Sequence, residues 1–326
     1  MSFDKDMQGN RRMTAARLSA VSALLALALT ACASPMTHHA LTPADLGAPA
    51  APGALEASLT RPGVVTVTRV AFAEWTAGRG AFIDRADPRN AATPKGDETA
   101  TIYAYILDHP TRGRVLIDSG VSAQLESRLN WVMRRGVRDL SVRVDRTTAQ
   151  VFAASPPPSA VFLTHLHFDH IGGLIDLDPA TPVYLGEGEA RDASRVNTLL
   201  GSPADAILRG YGPLREWRFQ PDPSGAFEGV LDVFGDGSVW ALHVPGHSPG
   251  STAYLVNAVD GPRLITGDAT STRLNWQGLP QPVTAAGRAQ ADASAERLRR
   301  FAAAHPAIEV FLGHQSSDGQ PEAGTD

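Results

Sequence analysis

Thr164-His165-Leu166-His167-Phe168-Asp169-His170-Ile171-Gly172-Gly173 places three imidazoles and one carboxylate between residues 165 and 170. His165 and His167 are two apart, so on an extended segment they share a face. Asp169 and His170 follow where the chain turns into an apolar run, residues 171–177. Neutral imidazole suits zinc and other borderline cations, and carboxylate can join it. One segment can therefore supply ligands to two metal ions. The other reading is a histidine-rich turn in solvent. An H-x-H-x-D-H spacing arises by chance in roughly one chain in a thousand of this composition, which favours the metal.

Working outward, residues 160–163 (AVFL) read as a short apolar strand that delivers this motif at its C-terminal end. Three more predicted strands end in the same way. Residues 238–244 lead into Pro245-Gly246-His247-Ser248-Pro249-Gly250-Ser251, residues 263–266 into Gly267-Asp268, and residues 308–312 into Gly313-His314. Each of these ends has an adjacent glycine, which lets backbone approach a site closely. Further strands are expected at residues 64–72, 101–107, 114–117, 183–185 and 252–256, from β-branched and alternating patterns. The strand at 114–117 runs into Asp118-Ser119-Gly120, where Asp118 is either a turn cap or a site residue.

Helical spacing is expected at residues 122–132, 145–153, 188–200 and 289–304, while residues 73–98 read as loop. Residues 201–229 look long and irregular, and contain Tyr211 and Trp217. Such stretches are often lids or binding loops, so these aromatics either contact substrate or pin the loop to the body. His38 and His39 read as incidental, His109 as a turn residue and His305 as a helix-end residue.

The chain has 326 residues, with 43% hydrophobic and 19% charged, ample for a globular core. Its formal net charge is -5, and Lys5, Arg11, Arg12 and Arg17 against Asp4 and Asp6 leave -7 beyond residue 31. That balance disfavours nucleic acid as a partner, since phosphate binding needs a basic face. A single cysteine rules out an intramolecular disulfide.

Residues 18–31 form an almost unbroken apolar stretch, short for a membrane span and suited to a signal-peptide core. They end in Leu29-Thr30-Ala31 before Cys32, which resembles the lipobox of bacterial lipoproteins. That resemblance implies acylation of Cys32 and an exported, lipid-anchored protein. Ala33 rather than Asp after the cysteine implies the outer membrane, facing the periplasm. Arg11-Arg12 gives a weak twin-arginine pattern. The expected organisation is a signal peptide (1–31), a lipidated Cys32 with a flexible tether (32–60), one hydrolase domain (61–316) and a polar tail (317–326).

From about residue 64 to residue 314 the chain resembles the metallo-β-lactamase-fold hydrolases. THLHFDHIGG, PGHSPGS, TGD and LGH occur in that family's order. The resemblance implies an α/β fold, an αββα sandwich of two mixed sheets flanked by helices. It implies two divalent metal ions, zinc above all, with iron, manganese or cobalt as alternatives. His165, His167 and His247 would hold the first; Asp169, His170 and His314 the second; Asp268 would bridge both. Asp118 matches an acidic position that orients a ligand histidine, as carboxylates behind metal-bound imidazoles do. His243 matches no ligand position. Two cations sharing a water give hydroxide near neutral pH, which attacks a carbonyl or phosphoryl centre. Asp169 would aim that hydroxide and carry a proton to the leaving group.

A bridging Asp268, where lactam-cleaving branches usually have Cys or Ser, fits lactonases, thioesterases and phosphotriesterases. The outline resembles the N-acyl-homoserine lactone lactonases most. Many of those carry a tyrosine three residues after the bridging aspartate, where this chain has Ser271. The expectation is therefore a hydrolase that opens a lactone or ester of a small molecule. Its rivals are a periplasmic β-lactamase, a thioesterase or phosphotriesterase of the same fold, and a non-catalytic zinc-binding lipoprotein.

Overall fold

A computed structural model describes residues 34–139, 141–191, 193–194, 201–283 and 285–317. In chain order its first strands are β1 (Ser34–Pro35), β2 (Leu41–Pro43), β3 (Thr66–Gly78), β4 (Asp97–His109) and β5 (Gly113–Ile117). Next come β6 (Arg143–Val144), β7 (Val161–Phe162), β8 (Val183–Leu185), β9 (Ala193–Ser194) and β10 (Leu214–Glu216). The last are β11 (Gly229–Asp232), β12 (Val239–His243), β13 (Thr252–Ala258), β14 (Gly261–Ile265) and β15 (Glu309–Phe311).

Eight strands form a mixed sheet in the order β2-β10-β8-β7-β5-β4-β3-β6, and five form a second in the order β11-β12-β13-β14-β15. The neighbours from β2 through β5 are parallel, and the remaining pairs of the first sheet antiparallel. The second sheet is antiparallel except for β14 and β15.

Side-chain alternation explains the layering. Tyr103, Tyr105 and Leu107 of β4 pack between the sheets, against Tyr254 and Val256 of β13. Ile102, Ala104 and Ile106 point the other way, onto Leu125, Leu129 and Leu174. On the far side, Leu255 of β13 meets Leu298 and Phe301 of the helix Ala285–Ala304. Both faces of each sheet are thus covered, which favours apolar residues along the whole of a central strand. The layers run helix, sheet, sheet, helix, as the fold class expected.

Three expectations change. The segment 32–60 is no loose tether where it is described. Ser34–Pro35 pair with β9, β2 adds in parallel to β10, and Ala54–Leu59 form a helix whose Leu55 is buried in the outer core. Strands of two or three residues need no hydrophobic period when an existing sheet edge supplies the hydrogen bonds. Cys32, the 1–31 signal segment and residues 318–326 lie outside the described residues. Residues 73–98 are only partly loop, because β3 continues to Gly78 through an irregular register at Ala71/Ala73 and β4 starts at Asp97. Residues 188–200 show one 3-10 turn, Glu189–Arg191, and β9 rather than a helix among the described residues. Among the described residues no helix is long and apolar enough to cross a membrane.

Candidate metal centre

The parallel strands β5 and β7 deliver Asp118 and the His165–His170 segment to one edge of the sandwich. The second sheet delivers His247 after β12, Asp268 after β14 and His314 after β15. All seven proposed ligand side chains converge. Ligand atoms of His165, His167 and His247 lie within 4.8 Å of one another, as do those of Asp169, His170 and His314. Asp268 sits between the two sets: its Oδ2 is 3.6 Å from His247 Nε2, and its Oδ1 is 3.3 Å from His314 Nε2 and 3.6 Å from His170 Nε2.

A helical turn, Phe168–Ile171, explains how one segment serves both sets. His165 and His167 lie on the extended approach. The turn then swings His170 toward Asp169, with His170 Nε2 4.0 Å from Asp169 Oδ2. Gly313 is required next to His314, since a Cβ there would fall 2.2 Å from Asp268 Oδ1.

Carboxylates and carbonyls hold the imidazoles from behind. Asp118 Oδ2 is 2.9 Å from His170 Nδ1. The same carboxylate accepts the Thr164 backbone N–H at 2.8 Å and the Thr164 hydroxyl at 2.9 Å. Asp118 has a φ of 54°, a left-handed conformation that Asp tolerates better than most residues. His314 Nδ1 is 3.0 Å from the Thr101 carbonyl oxygen.

The donor set fits divalent cations. His165 Nε2, His170 Nε2 and Asp268 Oδ1 are buried with no hydrogen-bond partner. Buried polar atoms are otherwise nearly always paired, so three such atoms within 4.8 Å of one another mark a place for cations. Electrostatics agree. Burial, with His170, His167 and His247 nearby, holds His165 well below the usual imidazole range, and burial brings His247 down to about 4. These are neutral imidazoles, the form that binds a metal. Burial would also lower His170, but Asp118, Asp169 and Asp268 outweigh it and push it up to about 10. Burial would raise Asp268, yet His314 and His170 keep it well below the carboxylate range.

Two cavities meet here. One, about 230 Å³, holds Asp169, His247, Asp268 and His314 with Ser271 and Gln281, and is otherwise walled by Ala77, Ala81, Phe82 and Pro282. The other, about 290 Å³, is walled by Ile102, Val121, Leu125, Val137, Val142 and Phe168. Trp75 and Asp169 line both. Ser271 donates its hydroxyl to Gln281 Oε1 at 3.0 Å, and Gln281 Nε2 donates to the Asp268 backbone carbonyl at 2.7 Å.

The long 201–229 stretch does not supply a substrate contact through Trp217. That side chain is wholly buried between the sheets, stacked on Tyr184 at 4.7 Å and donating to the Tyr254 hydroxyl at 3.2 Å. Tyr211 packs on the helix-side core and donates to the Leu174 carbonyl at 2.8 Å, lining neither cavity at the site. Both aromatics pin the segment, the second of the two readings. His243 stacks on Phe219, 4.7 Å away. His38 pairs with Asp205 at 2.7 Å and is not incidental.

Sequence reasoning passed over Glu189. Its buried carboxylate accepts the Leu166 N–H at 2.8 Å, the Ser248 hydroxyl at 2.5 Å and the Gly250 N–H at 3.1 Å. It thereby ties the His165–His167 segment to the loop of His247. The available signal was its place just past the C-terminal end of β8, the same sheet edge that carries Asp118 and His165. Trp75 and Gln281 were also missed, because each lies in a segment without a motif.

An αββα sandwich with a convergent His/Asp cluster at its sheet edge defines a metal-dependent hydrolase. The chain belongs to the Metallo-beta-lactamase superfamily, whose model matches residues 99–314. It is 28% identical over 221 residues to the N-acyl homoserine lactonase AttM of Agrobacterium fabrum, covering 64% of this chain and 80% of that protein. It is 39% identical over 116 residues to the probable metallo-hydrolase YqgX of Bacillus subtilis, 34% of this chain and 49% of that one. Among solved structures, a quorum-quenching N-acyl homoserine lactone lactonase superposes with a TM-score of 0.58 at 20% identity, covering 80% of this chain and 96% of its own. This superposition bears on the fold alone.

Proposed function

We propose that this chain hydrolyses lactones or related esters that carry an apolar acyl chain, with N-acyl-homoserine lactones as the favoured class. The observation that carries the reading is the pair of joined cavities. One contains the His/Asp cluster beside Phe82 and Pro282, the other is walled by aliphatic side chains and Phe168, and Trp75 and Asp169 line both. A lactone ring in the first and its acyl chain in the second would fill both. Similarity to lactonase AttM supports the same class.

We assign His165, His167 and His247 to one divalent cation, Asp169, His170 and His314 to a second, and Asp268 to both, with zinc as the expected metal. When bound, such a pair acidifies water and polarises a carbonyl oxygen. The chain's own groups do the rest. Asp118, Thr101 and Glu189 hold the ligand loops in register. Asp169 stands at the shared wall of the cavities, where its carboxylate can take the proton from attacking water. As the acyl–oxygen bond of the ring breaks, that proton passes to the leaving alkoxide, giving a hydroxy acid. Ser271, whose hydroxyl proton is engaged by Gln281, shapes the rim rather than donating to the substrate.

Hydrolysis of lactones, aryl esters, thioesters, phosphotriesters and β-lactams, measured with the zinc, manganese and iron forms side by side, tests this. Lactones should be fastest. Turnover of β-lactams alone would refute the substrate class, and no turnover of any would favour a metal-binding lipoprotein. We further propose export and acylation at Cys32, which the apolar stretch before it supports; radiolabelled palmitate should enter the wild type and not Cys32→Ala.

A further inference from the structure

Among the described residues five large hydrophobic side chains are exposed: Val64, Trp131, Val132, Val144 and Val259. Three of them fall within residues 131–144, and Trp131 is the most open, at 75%. Trp131 and Val132 open the helix Trp131–Asp139, and Val144 lies on the edge strand β6. Met133 and Val137, four apart, turn inward onto the helix-side core. Trp131, Arg134, Arg135 and Arg138 follow the i, i+3, i+4, i+7 spacing of one face. Arg134 folds back onto the carbonyls of Glu126 and Leu129, at 3.1 Å each. Arg135 and Arg138 stay open, with 77% and 67% of their side chains exposed.

The charge of this region runs against that of the chain. Arg128, Arg134, Arg135, Arg138, Arg143 and Arg146 stand against Glu126, Asp139, Asp145 and the neighbouring Glu74, a formal +2 in a chain of -5. The acids are interleaved: Arg138 pairs with Glu126, Arg143 with Asp145 and Glu74, and Arg135 lies 3.5 Å from Asp139. An indole projecting among arginines suits the headgroup layer of a bilayer. Its ring sits at the boundary there, and long cationic side chains bury their stems while their charged ends reach phosphate.

We propose that the helix face bearing Trp131 and Val132 docks on an anionic phospholipid bilayer. Val137, on the inner side of the same helix, lines the 290 Å³ apolar cavity, and so does Val144 of β6, which is 46% exposed. The docked face therefore sits over the space assigned to the acyl chain, and a substrate dissolved in the bilayer has a short apolar route into it. That delivery role rests on the acyl-lactone reading; the docking itself does not.

The test uses the full chain carrying Cys32→Ala, so that no acyl group holds it, and vesicles of phosphatidylglycerol and phosphatidylethanolamine whose acyl chains are brominated. The emission of that chain minus that of its Trp131→Phe variant isolates the indole of interest. Brominated lipid should quench this difference signal in anionic vesicles and leave it unchanged in pure phosphatidylcholine. Arg135→Glu should weaken anionic-vesicle binding on the order of tenfold, and raised salt should do the same. A difference signal indifferent to brominated lipid, or equal quenching in neutral vesicles, overturns the proposal. Self-association that Trp131→Phe abolishes, without any quenching, would make this face a protein interface instead. Quenching in a protein that hydrolyses no lactone would leave docking standing and remove the substrate reading.

Discussion

Replacing Asp118 by asparagine separates holding the site from holding the fold. The carboxylate takes the Thr164 N–H, the Thr164 hydroxyl and His170 Nδ1, all between 2.8 and 3.1 Å. Asparagine keeps the shape, tolerates the φ of 54° and can still accept from the Thr164 N–H. Its amide nitrogen, however, meets His170 Nδ1 as donor against donor. Relief requires the imidazole to move its proton to Nε2, the atom aimed at Asp169 and Asp268, and that blocks it as a ligand. Loss of such a partner behind a ligand histidine costs about 10- to 100-fold in metal affinity. Alanine goes further and removes the acceptor of all three buried donors, at about 1–3 kcal/mol for each left unpaired. Zinc titration against a competing chelator should show one of two binding events in Asp118→Asn weakened by that factor, with a modest loss of thermal stability. Asp118→Ala should lose metal and several degrees of melting temperature together. Unchanged affinity for both equivalents in Asp118→Asn would refute the argument.

Further expectations concern the core, the close approach and proton linkage. Trp217→Ala should cost about 3–5 kcal/mol, read as a melting-temperature drop of roughly 6–20 °C with KM for lactones unchanged; a raised KM at constant stability would return Trp217 to the substrate site. Gly313→Ala should displace Asp268 and lower bound metal by elemental analysis, while Gly212→Ala, with nothing within 4 Å, should bind as wild type. Zinc uptake at pH 7 should release at least one proton, because His170, raised to about 10, is protonated in the metal-free chain and must lose that proton to coordinate. His247, lowered to about 4, contributes none at that pH, and affinity should fall as pH drops. Calorimetry in buffers of different ionisation enthalpy reads this number, and a zero slope would contradict it.

The convergent His/Asp cluster was legible because metal chemistry restricts residue types and because three of the four strand ends that carry it place a glycine beside it. The layered fold was implied by the family resemblance that those motifs carry. What stayed hidden depends on partners far apart in the chain. Glu189 looks like any surface acid until Leu166, Ser248 and Gly250 are seen to donate to it. Trp217 sits in a polar, proline-bearing stretch, just past β10, whose parallel register with β8 and β2 no local period signals. The edge strand β2, with its proline and three residues, has no period to detect.

The pairing of Ser34–Pro35 with β9 changes how a lipid on Cys32 would act. Only Ala33 would separate the acylated residue from folded structure, a Cα–Cα reach of about 7 Å. The catalyst would then ride against the bilayer as a fixed plate, unable to sample the width of the periplasm. Its encounters would be set by lateral diffusion of molecules already in the lipid, so turnover would follow a substrate's surface density more closely than its bulk concentration.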